Sequence, residues 1–295
     1  MSTPQSVSVS FLGLGVMGYP MAGHLHRAGH AVTVYNRNKA KSTEWLAQHP
    51  GGRVADTPAL AAAGAHVVFM CVGNDHDIRS VVYGDNGALA GLSAQSILVD
   101  HTTASAQVAR ELAAACAQKN VGFVDAPVSG GQVGAQKGQL TIMCGGDEAT
   151  FNAVAPIMAA YAKAATLMGA SGSGQLTKMV NQICIAGLLQ GLSEALNFAD
   201  KAQLDVHRVL DVISKGAAQS WQMDNRGKTM VQDEFDFGFA VDWMRKDLGL
   251  VLNEAHHNGA LLPMTALVDQ FYAEVQAMGG SRWDTSSLIR RFRRS

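Results

Sequence analysis

The chain has 295 residues, of which 47% are apolar and 16% charged, and its formal net charge is −1. This length suits about two domains, and the composition supplies a large core and excludes a disordered chain. The near-neutral charge excludes the broad basic footprint of a nucleic-acid binder.

No run reaches the roughly 18 apolar residues of a membrane helix. Met1-Ser2-Thr3-Pro4-Gln5 lacks the basic start of a signal peptide, so a cytoplasmic protein with no membrane partner is expected. Cys71, Cys116, Cys144 and Cys184 form no Cys-x-x-Cys pair and read as reduced core residues. His256 and His257 are adjacent, point about 100° apart on a helix and do not share a metal easily, so no metal is expected.

Residues 7–169 alternate short β-rich runs with Ala-rich helical stretches. The first strand, residues 7–13, runs into Gly13-Leu14-Gly15-Val16-Met17-Gly18, and a helix over 16–28 follows. In G-x-G-x-x-G the first glycine permits a tight turn and the second lets a pyrophosphate approach the backbone. The third lets helix and strand pack closely, while the helix N-terminus favours phosphate. The second strand, residues 30–36, closes the β-α-β unit at Asn36.

At its end an acid would bind the ribose 2′-hydroxyl of NAD, but this chain has Asn36-Arg37-Asn38-Lys39-Ala40-Lys41. Planar, multidentate Arg37 suits a 2′-phosphate, and Lys41 adds a second cation, so NADP is expected over NAD; the competing reading is a basic surface turn. Further strands are expected over 66–72, 96–100, 122–125 and 141–144. Continuous apolar runs of this length suggest parallel strands buried on both faces in a doubly wound α/β domain. Ser129-Gly130-Gly131 offers a hydroxyl and unobstructed backbone N–H groups that suit an anionic oxygen, or else a tight turn after Pro127.

Residues 169–174 read as a flexible joint, and from Gln175 to about Lys201 the apolar spacing is helical, a span of about 40 Å. Leu176, Met179, Val180, Ile183, Ile185, Leu188, Leu189, Leu192 and Leu196 make this helix apolar around most of its girth. Such a helix is buried, between domains or in a subunit interface, and a homodimer or homotetramer is expected. Everything after it reads helical. The expected architecture is a Rossmann domain over 1–170 and an all-α domain over 171–295 that begins with the long helix.

Lys178 stands four residues after Gly174 and three before Asn181, so a glycine gap, an ammonium and an amide share one helix face. Alone this reads as a solvated helix lysine. With the glycine loop and Asp125-Ala126-Pro127-Val128-Ser129-Gly130-Gly131 it marks Lys178 as a proton donor in hydride transfer. Gly174 is read as the gap through which substrate or nicotinamide approaches.

Four stretches resemble the β-hydroxyacid dehydrogenases, in that family's order and spacing and over nearly the whole chain. They are Gly13 to Met21, Asp125 to Gly131, Gly174 to Asn181, and Lys246-Asp247-Leu248-Gly249-Leu250. The resemblance implies Lys178 as catalytic acid/base, Asn181 holding substrate and lysine, and Ser129, Gly130 and Gly131 on the substrate carboxylate. It places Thr103 beside the nicotinamide, Cys71, Val72 and His76 along the cofactor, and Lys246 in contact with it.

The family loop often carries Leu-Pro where this chain has Cys71-Val72-Gly73-Asn74. Trp221 either faces substrate or is ordinary core. The expected reaction interconverts a small β- or γ-hydroxy acid and its semialdehyde or oxo-acid with NADP(H). Imine reduction on the same scaffold and a non-catalytic NADP-binding protein are the alternatives, and Lys178 counts against both. The basic run from Arg290 to Arg294 reads as a solvated or subunit-contacting terminus.

Overall fold

A computed structural model describes residues 6–293; the N-terminal residues read above for a signal peptide, and Arg294, lie outside the described residues. The chain divides into two compact units, Met1–Lys178 and Met179–Ser295.

The first unit holds a nine-stranded sheet. Its strands are β1 (Ser8–Leu12), β2 (Ala31–Tyr35), β3 (Arg53–Val54), β4 (Val67–Met70), β5 (Ile97–Asp100), β6 (Gly122–Asp125), β7 (Val128–Ser129), β8 (Leu140–Gly145) and β9 (Ala162–Gly169). Helices α1 (Gly18–Arg27), α2 (Lys39–Gln48), α3 (Pro58–Ala62), α4 (Asp75–Val82), α5 (Ala88–Gly91), α6 (Ala106–Ala117), α7 (Gly131–Lys137) and α8 (Glu148–Met158) connect them. The order is β3-β2-β1-β4-β5-β6-β8-β7, with β9 beside β8.

The pairs from β3 through β6 are parallel, as the apolar runs imply. Both faces are covered: Val9, Phe11, Val67 and Phe69 point into one core, and Leu12, Val68, Met70 and Leu98 into the other. The wholly parallel expectation is corrected beyond β6. There β8 runs antiparallel to β6 and β7, and β9 pairs parallel with β8. β6 and β7 both pair with β8, so the chain passes through Ala126-Pro127 and places Ser129 at the end of β7, opposite Thr141.

The second unit is helical: most of α9 (Ser173–Lys201), then α10 (Val206–Ile213), α11 (Trp221–Val231), α12 (Val241–Asn258), α13 (Pro263–Ala277) and a 3-10 helix over Thr285–Arg293. Ala186, Leu189, Met244, Leu248, Val268 and Tyr272 form one core there, and Leu192, Leu196, Leu210 and Met230 another.

Three expectations change. α9 is not buried around its girth, because Val180, Leu188 and Phe198 are 60%, 44% and 71% exposed. Cys184 on the same face is exposed, whereas Cys116 and Cys144 are core. The C-terminal arginines turn inward: Arg290 pairs with Asp233 at 2.5 Å and Arg291 with Glu274 at 3.2 Å, and Arg290 stacks over Trp283. Within the described residues no helix is long and apolar enough to cross a membrane.

Candidate active site

The glycine loop follows β1. Gly13 has φ +97°, and a Cβ there would collide with the Cys71 carbonyl. A Cβ at Gly18 would collide with the Gly13 carbonyl and lie 2.9 Å from the Phe11 ring, so this glycine lets α1 pack against β1. A Cβ at Gly15 would meet nothing within 4 Å, which leaves the open backbone that a pyrophosphate requires. α1 begins at Gly18, two residues later than expected, so Val16 and Met17 remain in the loop, and no acid in its first turn opposes a phosphate.

Asn36 closes this loop from β2. Its Oδ1 accepts from the Leu14 N–H at 2.8 Å, and its Nδ2 donates to the Asn38 carbonyl at 2.9 Å. Asn38 then caps α2. Arg37 is 88% exposed, 3.5 Å from an Asp77 oxygen, and Lys41 is exposed on the first turn of α2. An open Gly15 and a helix N-terminus together fit the pyrophosphate of a dinucleotide.

The strand ends carry the rest. Past β4, Cys71 and Val72 are half-buried, and the Val72 N–H donates to Thr102 Oγ1 at 3.0 Å. His76 is exposed on α4. Past β5, Asp100 Oδ1 accepts from the Thr102 N–H at 2.9 Å. Burial pushes the Asp100 carboxyl up to about 7, against hydrogen bonds from Thr102 and with help from the nearby charges of Asp125 and Asp75.

His101 donates from Nδ1 to the Ala126 carbonyl at 2.7 Å, and its Nε2 accepts from the Tyr161 hydroxyl at 2.9 Å. Burial holds that imidazole down at about 4. Ser129, Gly130 and Gly131 lie at the β7–α7 turn, the glycines at φ +128° and +61°, with both glycines exposed.

Asp125, fully buried at the end of β6, seats α9. Its Oδ1 accepts from the Gly172 N–H at 2.7 Å and its Oδ2 from the Gln175 N–H at 3.0 Å. A carboxylate on the first turn satisfies otherwise orphaned donors and suits the helix dipole. Burial raises this carboxyl above its usual range, against the pull of the Gly172, Gln175 and Gly174 N–H groups. Lys178 follows on α9 and is 7% exposed, so the reading as a solvated lysine does not apply.

Gly174 has a different role from the one expected. A Cβ there would strike the Met143 carbonyl and lie 2.7 Å from Asp125 O and 2.8 Å from Asp125 Oδ2. The missing side chain admits the sheet rather than a ligand. Sequence reasoning passed over Asp125 as a cap and Gln175 altogether; a polar residue closing the apolar run Phe123-Val124 was the available signal.

In the second unit, Lys246 Nζ lies 2.9 Å from Asp247 Oδ1, and Asp247 Oδ2 accepts from Gln182 Nε2 at 2.6 Å. Gln182 Oε1 accepts from Asn181 Nδ2 at 2.8 Å, so Lys246 and Asn181 belong to one chain of polar contacts. Trp221 is half exposed, with Arg226 5.1 Å over its ring, which removes the core reading. Among the described residues no group of three or more His, Cys, Asp and Glu is placed to hold a metal.

Comparison with known proteins agrees with this geometry. Residues 8–169 match the family described as the NAD binding domain of 6-phosphogluconate dehydrogenase. Residues 172–292 match the one described as NAD-binding of NADP-dependent 3-hydroxyisobutyrate dehydrogenase. An uncharacterized oxidoreductase of Shewanella frigidimarina (strain NCIMB 400) is 63% identical, over 97% of this chain and 98% of that protein. The 2-hydroxy-3-oxopropionate reductase of Escherichia coli (strain K12) is 35% identical, over 96% of each chain. The structure of Mycobacterium tuberculosis 3-hydroxyisobutyrate dehydrogenase with L-serine is 29% identical, with a TM-score of 0.89 over 98% of this chain and 100% of that one. With the glycine loop, the buried lysine on α9 and these matches over both units, the chain belongs to the β-hydroxyacid dehydrogenase family, oxidoreductases of hydroxy acids that use a nicotinamide cofactor.

Proposed function

We propose that the protein reduces a small semialdehyde or oxo-acid to its β- or γ-hydroxy acid with NADPH, and runs the reverse oxidation, with Lys178 as general acid and base. The observation that carries this reading is an ammonium side chain only 7% exposed, in the second turn of a helix seated by Asp125, in the same unit as an open glycine loop. Bound NADPH supplies a hydride for the carbonyl carbon. Gly13 to Gly18 hold its pyrophosphate, and Arg37 and Lys41 its 2′-phosphate. Cys71, Val72, His76, Thr103 and Lys246 line it.

The Ser129 hydroxyl and the Gly130 and Gly131 N–H groups hold the substrate carboxylate, with Asn181 as a further substrate contact. Lys178 hydrogen-bonds the carbonyl oxygen and donates its proton as negative charge develops there, and burial strengthens that bond over its value in water. L-serine and 2-hydroxy-3-oxopropionate, named for the two related proteins, both carry oxygen on the carbon β to a carboxylate, which favours the β class. A homo-oligomer is proposed as well, because Val180, Leu188 and Phe198 leave one face of α9 apolar and open, and a second copy would cover it.

The test is NADPH and NADH oxidation with glyoxylate, succinic semialdehyde, tartronate semialdehyde and methylmalonate semialdehyde, by the parent and by Lys178→Ala. Turnover with NADPH is expected. The variant should bind NADPH normally by calorimetry and lose roughly 100- to 10,000-fold in kcat, the usual worth of a positioned general acid. Full turnover by the variant would place the acid elsewhere, and no NADPH binding by the parent would end the cofactor reading.

A further inference from the structure

Gln175 is fully buried. A primary amide is costly to bury unless both its ends are hydrogen-bonded, so its partners define what it does. Its Oε1 accepts from the Ala104 N–H at 3.0 Å, and its Nε2 donates to the Thr102 carbonyl at 2.7 Å. Its own N–H donates to Asp125 Oδ2 at 3.0 Å.

Thr102 and Ala104 are the two neighbours of Thr103. One side chain therefore grips the backbone on both sides of Thr103 and is itself fixed to the strand-end carboxylate. Lys178 comes three residues later on α9, close to the same helix face. The grip extends further, since Thr102 Oγ1 holds the Val72 N–H at 3.0 Å and Asp100 Oδ1 holds the Thr102 N–H at 2.9 Å. The segment after β5, the segment after β4 and the first turns of α9 are thus one hydrogen-bonded piece, with Gln175 as its joint.

We propose that Gln175 is a positioning residue: it fixes the spacing between the Thr103 segment and Lys178, and so aims the lysine at the reacting oxygen. The inference rests on the reading of Lys178 as the acid. A proton donor works within about 2.6–3.2 Å of its acceptor, and a misplacement of about 1 Å costs up to about 100-fold. Glutamine is specified over its isosteres, because the Ala104 N–H needs an acceptor and the Thr102 carbonyl a donor. Glutamate keeps the shape and the first bond but loses the second; methionine keeps the length and loses both.

The test compares Gln175→Met and Gln175→Glu, each in the parent and in Lys178→Ala, using the fastest oxo-acid of the four. In the parent background kcat should fall about 10- to 100-fold for methionine and less for glutamate, measured at saturating NADPH. In the Lys178→Ala background Gln175→Met should lower residual turnover no further, because a residue that acts through the lysine has nothing left to aim. An equal loss in both backgrounds would make Gln175 merely structural and overturn the inference, as would an unchanged kcat in the parent background.

Full turnover by Lys178→Ala would instead show that the acid is misassigned, a distinct pattern. Amide hydrogen exchange gives a readout independent of turnover. Protection should fall at Ala104 and across residues 176–178 in Gln175→Met, and unchanged protection there overturns the proposal even if no oxo-acid is reduced. If the methionine variant does not fold, the glutamate variant carries both measurements.

Discussion

Arg37 is the residue on which cofactor choice turns. It extends into solvent at the end of β2, where an acid would grip an unphosphorylated ribose, and an Asp77 oxygen lies 3.5 Å away. Arg37→Asp should weaken NADPH binding by about 10- to 100-fold, the worth of one or two charge-assisted hydrogen bonds, and leave NADH nearly unchanged. Calorimetry with both cofactors checks this, and equal losses would refute the 2′-phosphate contact. At this scale the turn of the glycine loop was legible, because Gly13 and Gly18 each answer a local backbone demand.

Gly174 was not, since the glycine-before-lysine spacing looks the same whether the space beside it admits a ligand or a neighbouring strand. Gln175 was silent, and Asp125 showed only as a polar residue that closes an apolar run. Their partners Gly172, Thr102 and Ala104 come into reach only through tertiary structure, which no spacing along the chain encodes.

At the level of elements, the N-terminus of α9 is tightly seated, with Gly174 against the Met143 carbonyl and Asp125. Gly174→Ala should destabilise the protein by about 1–3 kcal/mol, as overpacking against backbone does. It should also lower kcat, because a Cβ in contact with the Met143 carbonyl and Asp125 pushes the first turn away from its seat. Denaturant melts and steady-state rates measure both; an unaltered kcat with lost stability would uncouple the turn from the lysine.

The parallel strands β1, β2, β4, β5 and β6 were readable as apolar runs. β9 was not, because Ala162-Lys163-Ala164-Ala165-Thr166-Leu167-Met168 is rich in alanine and half-exposed, and it is pairing with β8 that makes it a strand. The reversal at β8 was hidden for a related reason: an apolar run shows burial but not direction. On α9 the sequence gives many apolar positions without distinguishing those that meet the unit's own core from Val180, Leu188 and Phe198, which do not.

On the scale of the whole molecule, two buried groups oppose each other in pH dependence. His101 is held near 4, below its ordinary value of 6.5, so the stability contributed by its neutral form is present above 6.5 and lost as pH falls toward 4. Asp100 is held near 7, above its ordinary 3.8, so the stability contributed by its protonated form is present below 3.8 and lost as pH rises through 7. Each has a slope of about 1.4 kcal/mol per pH unit inside its window.

Asp100→Asn keeps an acceptor for the Thr102 N–H and removes the second arm. Its stability relative to the parent should therefore climb by about that slope between pH 4 and 7 in urea titrations. Parallel curves for variant and parent would show that Asp100 titrates as it does in water. The succession of an α/β part and a helical part was foreseeable from the change of pattern along the chain, whereas the inward-turned arginines, which need Asp233 and Glu274 brought near, were not.

The meeting of β6 with β8 has a consequence for the order in which the protein is made. The two strands touch through one residue pair, Asp125 with Gly145, and a Cβ at Gly145 would lie 2.5 Å from Asp125 Oδ1 and 2.8 Å from the Gly174 N–H. The same bare backbone both joins the last strands to the sheet and leaves room for the carboxylate that seats α9. During synthesis the residues of the glycine loop and of β1 to β6 emerge before Gly145, and α9, which Asp125 seats, emerges after it. The expectation is that the parallel strands and the glycine loop form first, and that Lys178 takes its place only after Gly145 has docked beside Asp125.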